Sequence, residues 1–201
     1  MVAQWILIGV RDQQTKAVIS EMTDKEVIAV CDPTFLFTKN DYANWTTSVH
    51  EPPFIFLYLF KDLSAPEEAC IRTYAKKHGL KIISGIDREK ISDRVLVNTP
   101  ETFVQYMLAA DYVITDTFHG TAFSMNLEKR FAVIDRGKNK VNELLEQYGF
   151  LDRLSINDNQ LEQILDTPID YLIRMQRITV SRKKSIDFLD NARKTAQEYS
   201  K

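Results

Sequence analysis

Ala110–Phe131, ADYVITDTFHGTAFSMNLEKRF, decides how the rest of the chain is read. Tyr112-Val113-Ile114-Thr115 is a short apolar, β-branched run, the pattern of a buried strand. Asp116-Thr117-Phe118-His119-Gly120 follows with no spacer, and Gly120 permits a close turn or a close approach by a ligand. A helix is predicted from Thr121, ending at Glu128-Lys129-Arg130, and Phe131 to Ile134 reads as the next strand. The unit is therefore βαβ. In such units ligands sit beyond the carboxyl ends of the strands, against the helix N-terminus. The stretch from Thr117 to Thr121 falls at that place. Its hydroxyls, imidazole and backbone N–H groups suit a phosphate or a carboxylate. A lone histidine after a strand is as readily a turn residue or a helix cap, so both readings of His119 stand here.

Working outward, the same alternation extends in both directions. Phe54 to Phe60 is a dense apolar run, a central strand. Ser64-Ala65-Pro66-Glu67 carries a cap, a first-turn proline and a capping-box glutamate. That helix runs to His78, with Gly79 as its stop. Leu80 to Ile83 and Val95 to Val97 read as strands. Thr99-Pro100 starts a helix whose Phe103, Met107 and Ala110 face the core. Beyond Ile134, Lys138 to Tyr148 is helical with Val141, Leu144, Leu145 and Tyr148 on one side, and Asn157 to Leu165 is helical too. The order implies an α/β fold, a Rossmann-like parallel sheet with helices on both faces. After Pro168 the pattern stays helical to the end. One stripe runs through Ile169, Leu172, Ile173, Gln176 and Val180, and a second through Ile186, Leu189, Ala192, Ala196 and Tyr199. A helix that long would span about 50 Å, so a kink near Ser181 or a partner surface is expected.

Before Phe54 the chain is less dense. Trp5 to Val10 reads as a strand, Asp12 as the cap of a helix from Gln13 to Met22, and Val27 to Val30 as a second strand. Cys31-Asp32-Pro33-Thr34 is a turn, Phe35-Leu36-Phe37 a hydrophobic plug, and Asn40 to Trp45 one turn of helix. Thr46 to Pro53 has the composition of a linker.

The 201 residues are 44% hydrophobic and 27% charged, which predicts a packed core. A formal charge of −2 argues against a nucleic-acid binder. Arg182-Lys183-Lys184 reads as a solvated helix face. Cys31 and Cys70 lack metal-ligand spacing, so no metal is expected and both read as buried free thiols. The first residues lack a basic leader, and the longest apolar run, Phe54 to Phe60, is too short to span a bilayer. A cytoplasmic location and no transmembrane segment are expected.

Val113-Ile114-Thr115-Asp116-Thr117-Phe118-His119-Gly120-Thr121, followed by Lys129-Arg130-Phe131, resembles the signature segment of the polysaccharide pyruvyl transferases. Gly9-Val10-Arg11-Asp12 is similar to that family's V-R-[DE] strand end. Cys31-Asp32-Pro33-Thr34-Phe35-Leu36 is similar to its D-P-T-x-L segment. The three stand in the family's order. Thr117 replaces the usual Ser and keeps the hydroxyl, Arg130 replaces a usual Pro, and Val141 lies where an Arg is common. The resemblance implies two Rossmann-like halves in a GT-B-like arrangement, of which this chain carries one and part of another. Residues 1–45 would be a remnant of the first half, 46–167 the second half, and 168–201 a long C-terminal crossover helix.

The implied chemistry is transfer of pyruvate from phosphoenolpyruvate to a glycan or lipid-linked sugar as a ketal, in exopolysaccharide biosynthesis, with no cofactor besides the donor substrate. His119 would be the general acid/base. Thr117, Gly120 and Thr121 would contact the phosphate. Arg11 would pair with the donor across a cleft, an ion pair with Asp12 or Asp32 being its other reading. Lys138 and Lys140 would be anion ligands or solvated helix-start lysines, and Asp116 a turn cap. A nucleotide-sugar glycosyltransferase or epimerase would use the same turn for a diphosphate. A non-catalytic half that pairs with another subunit, or with a second copy of itself, is a third reading.

Overall fold

The computed structural model describes residues 7–86, 90–97, 99–155 and 160–199. The chain divides into two compact units, Met1–Leu36 together with Met175–Lys201, and Phe37–Arg174. Trp5 and Ile6 of the first predicted strand, and Asn157 at the start of the late helix, lie outside the described residues.

In the smaller unit, β1 (Ile8–Val10) and β2 (Val27–Ala29) pair in parallel, Gly9 opposite Ile28. They are joined by α1 (Gln13–Ser20), which starts where Asp12 accepts the N–H of Thr15 at 2.6 Å. Pro33–Phe35 forms a short 3-10 turn capped by Asp32, and Phe35 is fully buried.

The larger unit opens with α2 (Lys39–Trp45), closed by a capping box between Thr38 and Asp41. Next come β3 (Phe54–Tyr58), α3 (Ala65–His78), β4 (Lys81–Ser84) and β5 (Arg94–Val95). They are followed by α4 (Pro100–Ala109), β6 (Tyr112–Thr115), α5 (Phe118–Asn126) and β7 (Arg130–Ile134). The unit continues through α6 (Asn139–Tyr148), β8 (Leu154–Ser155) and α7 (Gln160–Asp166). All six strands are parallel, in the order β5-β4-β3-β6-β7-β8. The two-residue edge strand β8 was not foreseen.

Strand residues alternate between two apolar layers, as period-2 geometry requires. Ile55, Leu57, Ile82, Ile114, Ala132 and Ile134 pack with Ile71 and Tyr74 of α3 and Leu161 and Leu165 of α7. On the opposite face Phe56 meets Phe103 of α4 at 6.1 Å between ring centres, and Phe103 meets Phe123 of α5 at 5.2 Å. Helices thus cover both faces. Asp111, at the entry to β6, accepts the N–H of Phe54 at 2.9 Å and fixes the amino end of the β3–β6 seam.

The last helix, α8 (Tyr171–Tyr199), runs unbroken through Ser181. Its first residues belong to the larger unit. There the Tyr171 hydroxyl donates to the Lys129 carbonyl and Arg174 pairs with Asp152 at 2.8 Å. Within the smaller unit its inward line is Ile178, Ser185 and the half-buried Phe188. The Phe188 ring lies where a side chain at Gly9 would be, 2.7 Å from a Cβ built there. Ser185 accepts the N–H of Cys31 at 2.7 Å. The predicted stripe through Ile186 and Leu189 is instead exposed, because the face that packs is one residue off it. Among the described residues no helix is long and apolar enough to cross a membrane.

Candidate functional site

The sheet order creates a switch point. From β3 the chain steps outward through β4 and β5, then returns to β6 on the other side of β3 and steps outward again. Crevices beyond the carboxyl ends of such neighbouring strands are where open α/β sheets bind ligands. The residues that follow β6 lie there.

Asp116, the first residue past β6, is 1% exposed. Its carboxylate accepts the backbone N–H groups of Phe60 at 2.8 Å and Lys61 at 3.0 Å. It holds the loop after β3 against the end of β6 and does not cap its own turn as expected. Thr117 is the cap. Its hydroxyl accepts the N–H of Gly120 at 2.9 Å and lies 3.0 Å from the hydroxyl of Thr115, which donates to the Tyr58 carbonyl at 2.7 Å.

Helix α5 therefore begins at Phe118, three residues before the predicted start at Thr121. His119 is its second residue, inside the first helical turn and not in a preceding loop. Its side chain is exposed, stands edge-on to Phe118 with ring centres 5.6 Å apart, and makes no hydrogen bond among the described residues. The first N–H groups of a helix lack intrahelical partners and carry its positive end. His119 thus combines a solvent-facing imidazole with an anion-favouring backbone.

The earlier helix start changes what Gly120 and Thr121 do. Both are buried. A Cβ on Gly120 would lie 2.2 Å from the Thr115 hydroxyl, so its bareness makes room for the threonines of the cap. The Thr121 hydroxyl donates to the Thr117 carbonyl at 2.8 Å, one turn back within the helix. Neither presents a side-chain group to a ligand, and the Thr117 hydroxyl, 4% exposed and engaged by Gly120 and Thr115, does not either, which leaves His119 and the helix N-terminus of the expected set on this turn.

Lys138 comes from the loop after β7. Its ammonium donates to the Asp116 carbonyl at 3.0 Å, directly before the cap of α5. The structure thus brings Lys138 and His119 to one edge from positions 19 residues apart. Lys140 is exposed on the first turn of α6 and makes no hydrogen bond or ion pair among the described residues. Arg11 belongs to the smaller unit, where it pairs with the buried Asp32 at 2.9 Å. Of its two readings, this ion pair is the one present.

Arg136 went unnoticed in the sequence. Its guanidinium forks onto both oxygens of Glu67 at 2.9 and 3.1 Å, and its Nε lies 3.8 Å from Asp116. Burial pushes the Glu67 carboxyl up. Bonds from the Ser64 N–H and Arg136 outweigh that and hold it below the usual carboxylate range. Nothing local marks Arg136, because its partner is 69 residues away. Among the described residues no group of three or more His, Cys, Asp or Glu side chains could hold a metal. A cavity of about 340 Å³ opens elsewhere, between Thr46–Val49 and Gln105, Leu108 and Ala109 of α4.

The sequence model of polysaccharide pyruvyl transferase matches residues 3–138. This chain belongs to the polysaccharide pyruvyl transferase family. The match covers the βαβ unit of His119 and ends on Lys138, so this transferase-family domain includes both ends of the edge just described. No curated protein sequence matches significantly. Among solved structures the chain is similar to a protein assigned as a UDP-N-acetylglucosamine 2-epimerase from Listeria monocytogenes. The identity is 12% and the TM-score 0.53, over 81% of this chain and 51% of that one. It is also similar to the UDP-GlcNAc 2-epimerase from Neisseria meningitidis bound to UDP-GlcNAc, with 11% identity and a TM-score of 0.52 over 89% and 60%. At these identities the likeness is one of fold. The pyruvyl transferase family member spans about half to three fifths of these neighbours' lengths.

Proposed function

We propose that this chain binds phosphoenolpyruvate at the N-terminus of α5 and takes part in transferring its pyruvyl unit to a sugar. The observation that carries the reading is His119, the histidine of the family segment. It is exposed in the first turn of a helix that starts at the switch point, and its side chain makes no hydrogen bond among the described residues. In the proposed reaction two sugar hydroxyls each form a bond to C2 of the donor, and the bond from C2 to the phosphate oxygen breaks. One hydroxyl proton ends on the donor's methylene carbon, making a methyl group, and the other on phosphate. His119 is placed to move one of these protons. The N-terminus of α5 and the Lys138 ammonium supply positive charge for the donor's carboxylate and phosphate. The acceptor is a glycan or lipid-linked sugar, in cytoplasmic assembly of an exopolysaccharide. Complete transfer is proposed for an assembly that supplies an acceptor-binding half.

Calorimetric titration of phosphoenolpyruvate into the full chain tests this. Binding is expected, and His119→Ala should weaken it about tenfold, the scale of one charge-assisted hydrogen bond. Absence of binding, or equal binding by the variant, counts against it. A nucleotide sugar is the second reading, since the Neisseria epimerase of like fold holds UDP-GlcNAc. UDP-GlcNAc binding more tightly than phosphoenolpyruvate would favour that reading.

A further inference from the structure

The loop from β7 to α6 is four residues, Asp135-Arg136-Gly137-Lys138, and has little to stiffen it internally. Asp135 accepts the N–H of Gly137 at 2.8 Å, and Gly137 sits at φ +67° where, among the described residues, nothing beyond its chain neighbours comes within 4 Å of a Cβ built there. The next residue, Lys138, is held from the helix side, since its carbonyl accepts the N–H groups of Val141 at 3.0 Å and Asn142 at 3.4 Å at the start of α6. At the end of this loop the Lys138 ammonium makes a single hydrogen bond among the described residues, to the neutral carbonyl of Asp116. One such bond is comparable to the rotamer freedom a lysine loses on being fixed. With its main chain held only from the α6 side, the placement of Lys138 depends on an anchor at the β7 side of the loop.

Arg136 is that anchor. Its side chain and that of Glu67 are 16% and 10% exposed. The two are joined by a bidentate pair, and the guanidinium also reaches the Asp62 carbonyl at 3.4 Å. Glu67 is itself fixed, since it accepts the Ser64 N–H at 2.7 Å in the capping box of α3. The Arg136 Nε is buried without a hydrogen-bond partner among the described residues, 3.8 Å from the carboxylate of Asp116. We infer that Arg136 is a positioning residue whose fork on Glu67 fixes the β7–α6 loop, so that Lys138 stays against the N-terminus of α5. The inference rests on the anion site proposed above and assigns that site a support outside the family segment. A lysine at 136 keeps the charge and loses the fork, because an ammonium cannot make two parallel bonds in one plane.

The test is a double-mutant cycle in anion affinity, with phosphoenolpyruvate and inorganic phosphate titrated into the full chain. Arg136→Lys and Lys138→Met should each weaken binding about tenfold. The double variant should be no weaker than Lys138→Met alone, since Arg136 acts through Lys138. Glu67→Gln, which loosens the fork from the other side, should reproduce Arg136→Lys, and it replaces that variant if thermal melting shows Arg136→Lys unfolded. General damage to the fold would lower affinity in the Lys138→Met background as well, and that result overturns the inference. So does wild-type affinity in Arg136→Lys, while loss of binding in His119→Ala leaves the site itself standing. If the wild-type chain binds neither anion, the site and its support both fall.

Discussion

At Gly120 one methyl group decides whether the edge can form. A Cβ there would lie 2.2 Å from the Thr115 hydroxyl and 2.7 Å from that of Thr117, and both hydroxyls are locked by other bonds. Gly120→Ala should therefore lower stability by about 1–3 kcal/mol, the usual scale of overpacking, and detach the cap of α5. Thermal melting would show it, and an unchanged melting temperature would mean that the threonines can move. The sequence singles out the right glycine for an incomplete reason, because the demand for space arises from Thr115 at the end of β6 and from Thr117, the cap of α5. His119 was legible because the family segment names it. Arg136 was not, since an arginine after a strand carries no local signal of a glutamate on another helix.

Helix starts that use local chemistry were legible. Asp12, Ser64 with Glu67, and Thr99 all cap where the sequence places them, and Gly79 ends α3 in the left-handed conformation. The start of α5 was misplaced because every residue from Gly120 to Asn126 is buried, which leaves no apolar stripe to follow. The edge strand β8, two residues long, has no periodicity to read. Glu67 couples the start of α3 to pH. Its folded pKa lies below the ordinary 4.5, so its contribution is present above that value and is lost as pH falls through the lower folded one. The melting temperature should drop below about pH 4.5. Glu67→Gln should melt lower than wild type at pH 7 and lose part of that acid dependence. Parallel pH–melting curves for the two proteins would remove Glu67 from the acid response.

For the whole molecule, the strand–helix alternation announced a parallel sheet, but not its order. Which strands become neighbours across the switch point depends on contacts between residues far apart in the chain. The larger unit carries the six-stranded sheet, both apolar layers, His119, Lys138 and Arg136. A protein comprising residues 37–174 should melt cooperatively and bind phosphoenolpyruvate as tightly as the full chain, since Arg11 is engaged by Asp32 in the other unit. Circular dichroism and calorimetry on that shorter protein check both points. Weaker binding by a folded fragment would overturn this expectation.

The two aspartates that bracket β6 also set a clock. Asp111 and Asp116 accept backbone N–H groups on either side of β3, clasping the two wings of the sheet at both ends of the seam. Phe54 and Asp111 are 57 residues apart, so closing this seam costs more chain entropy than pairing strands within either wing. A clasp that fastens after the wings have formed slows opening more than it speeds closing. Asp116→Ala should raise the unfolding rate in denaturant jumps and leave refolding nearly unchanged. The edge proposed to hold the donor is then also the edge whose opening determines how long a folded copy persists.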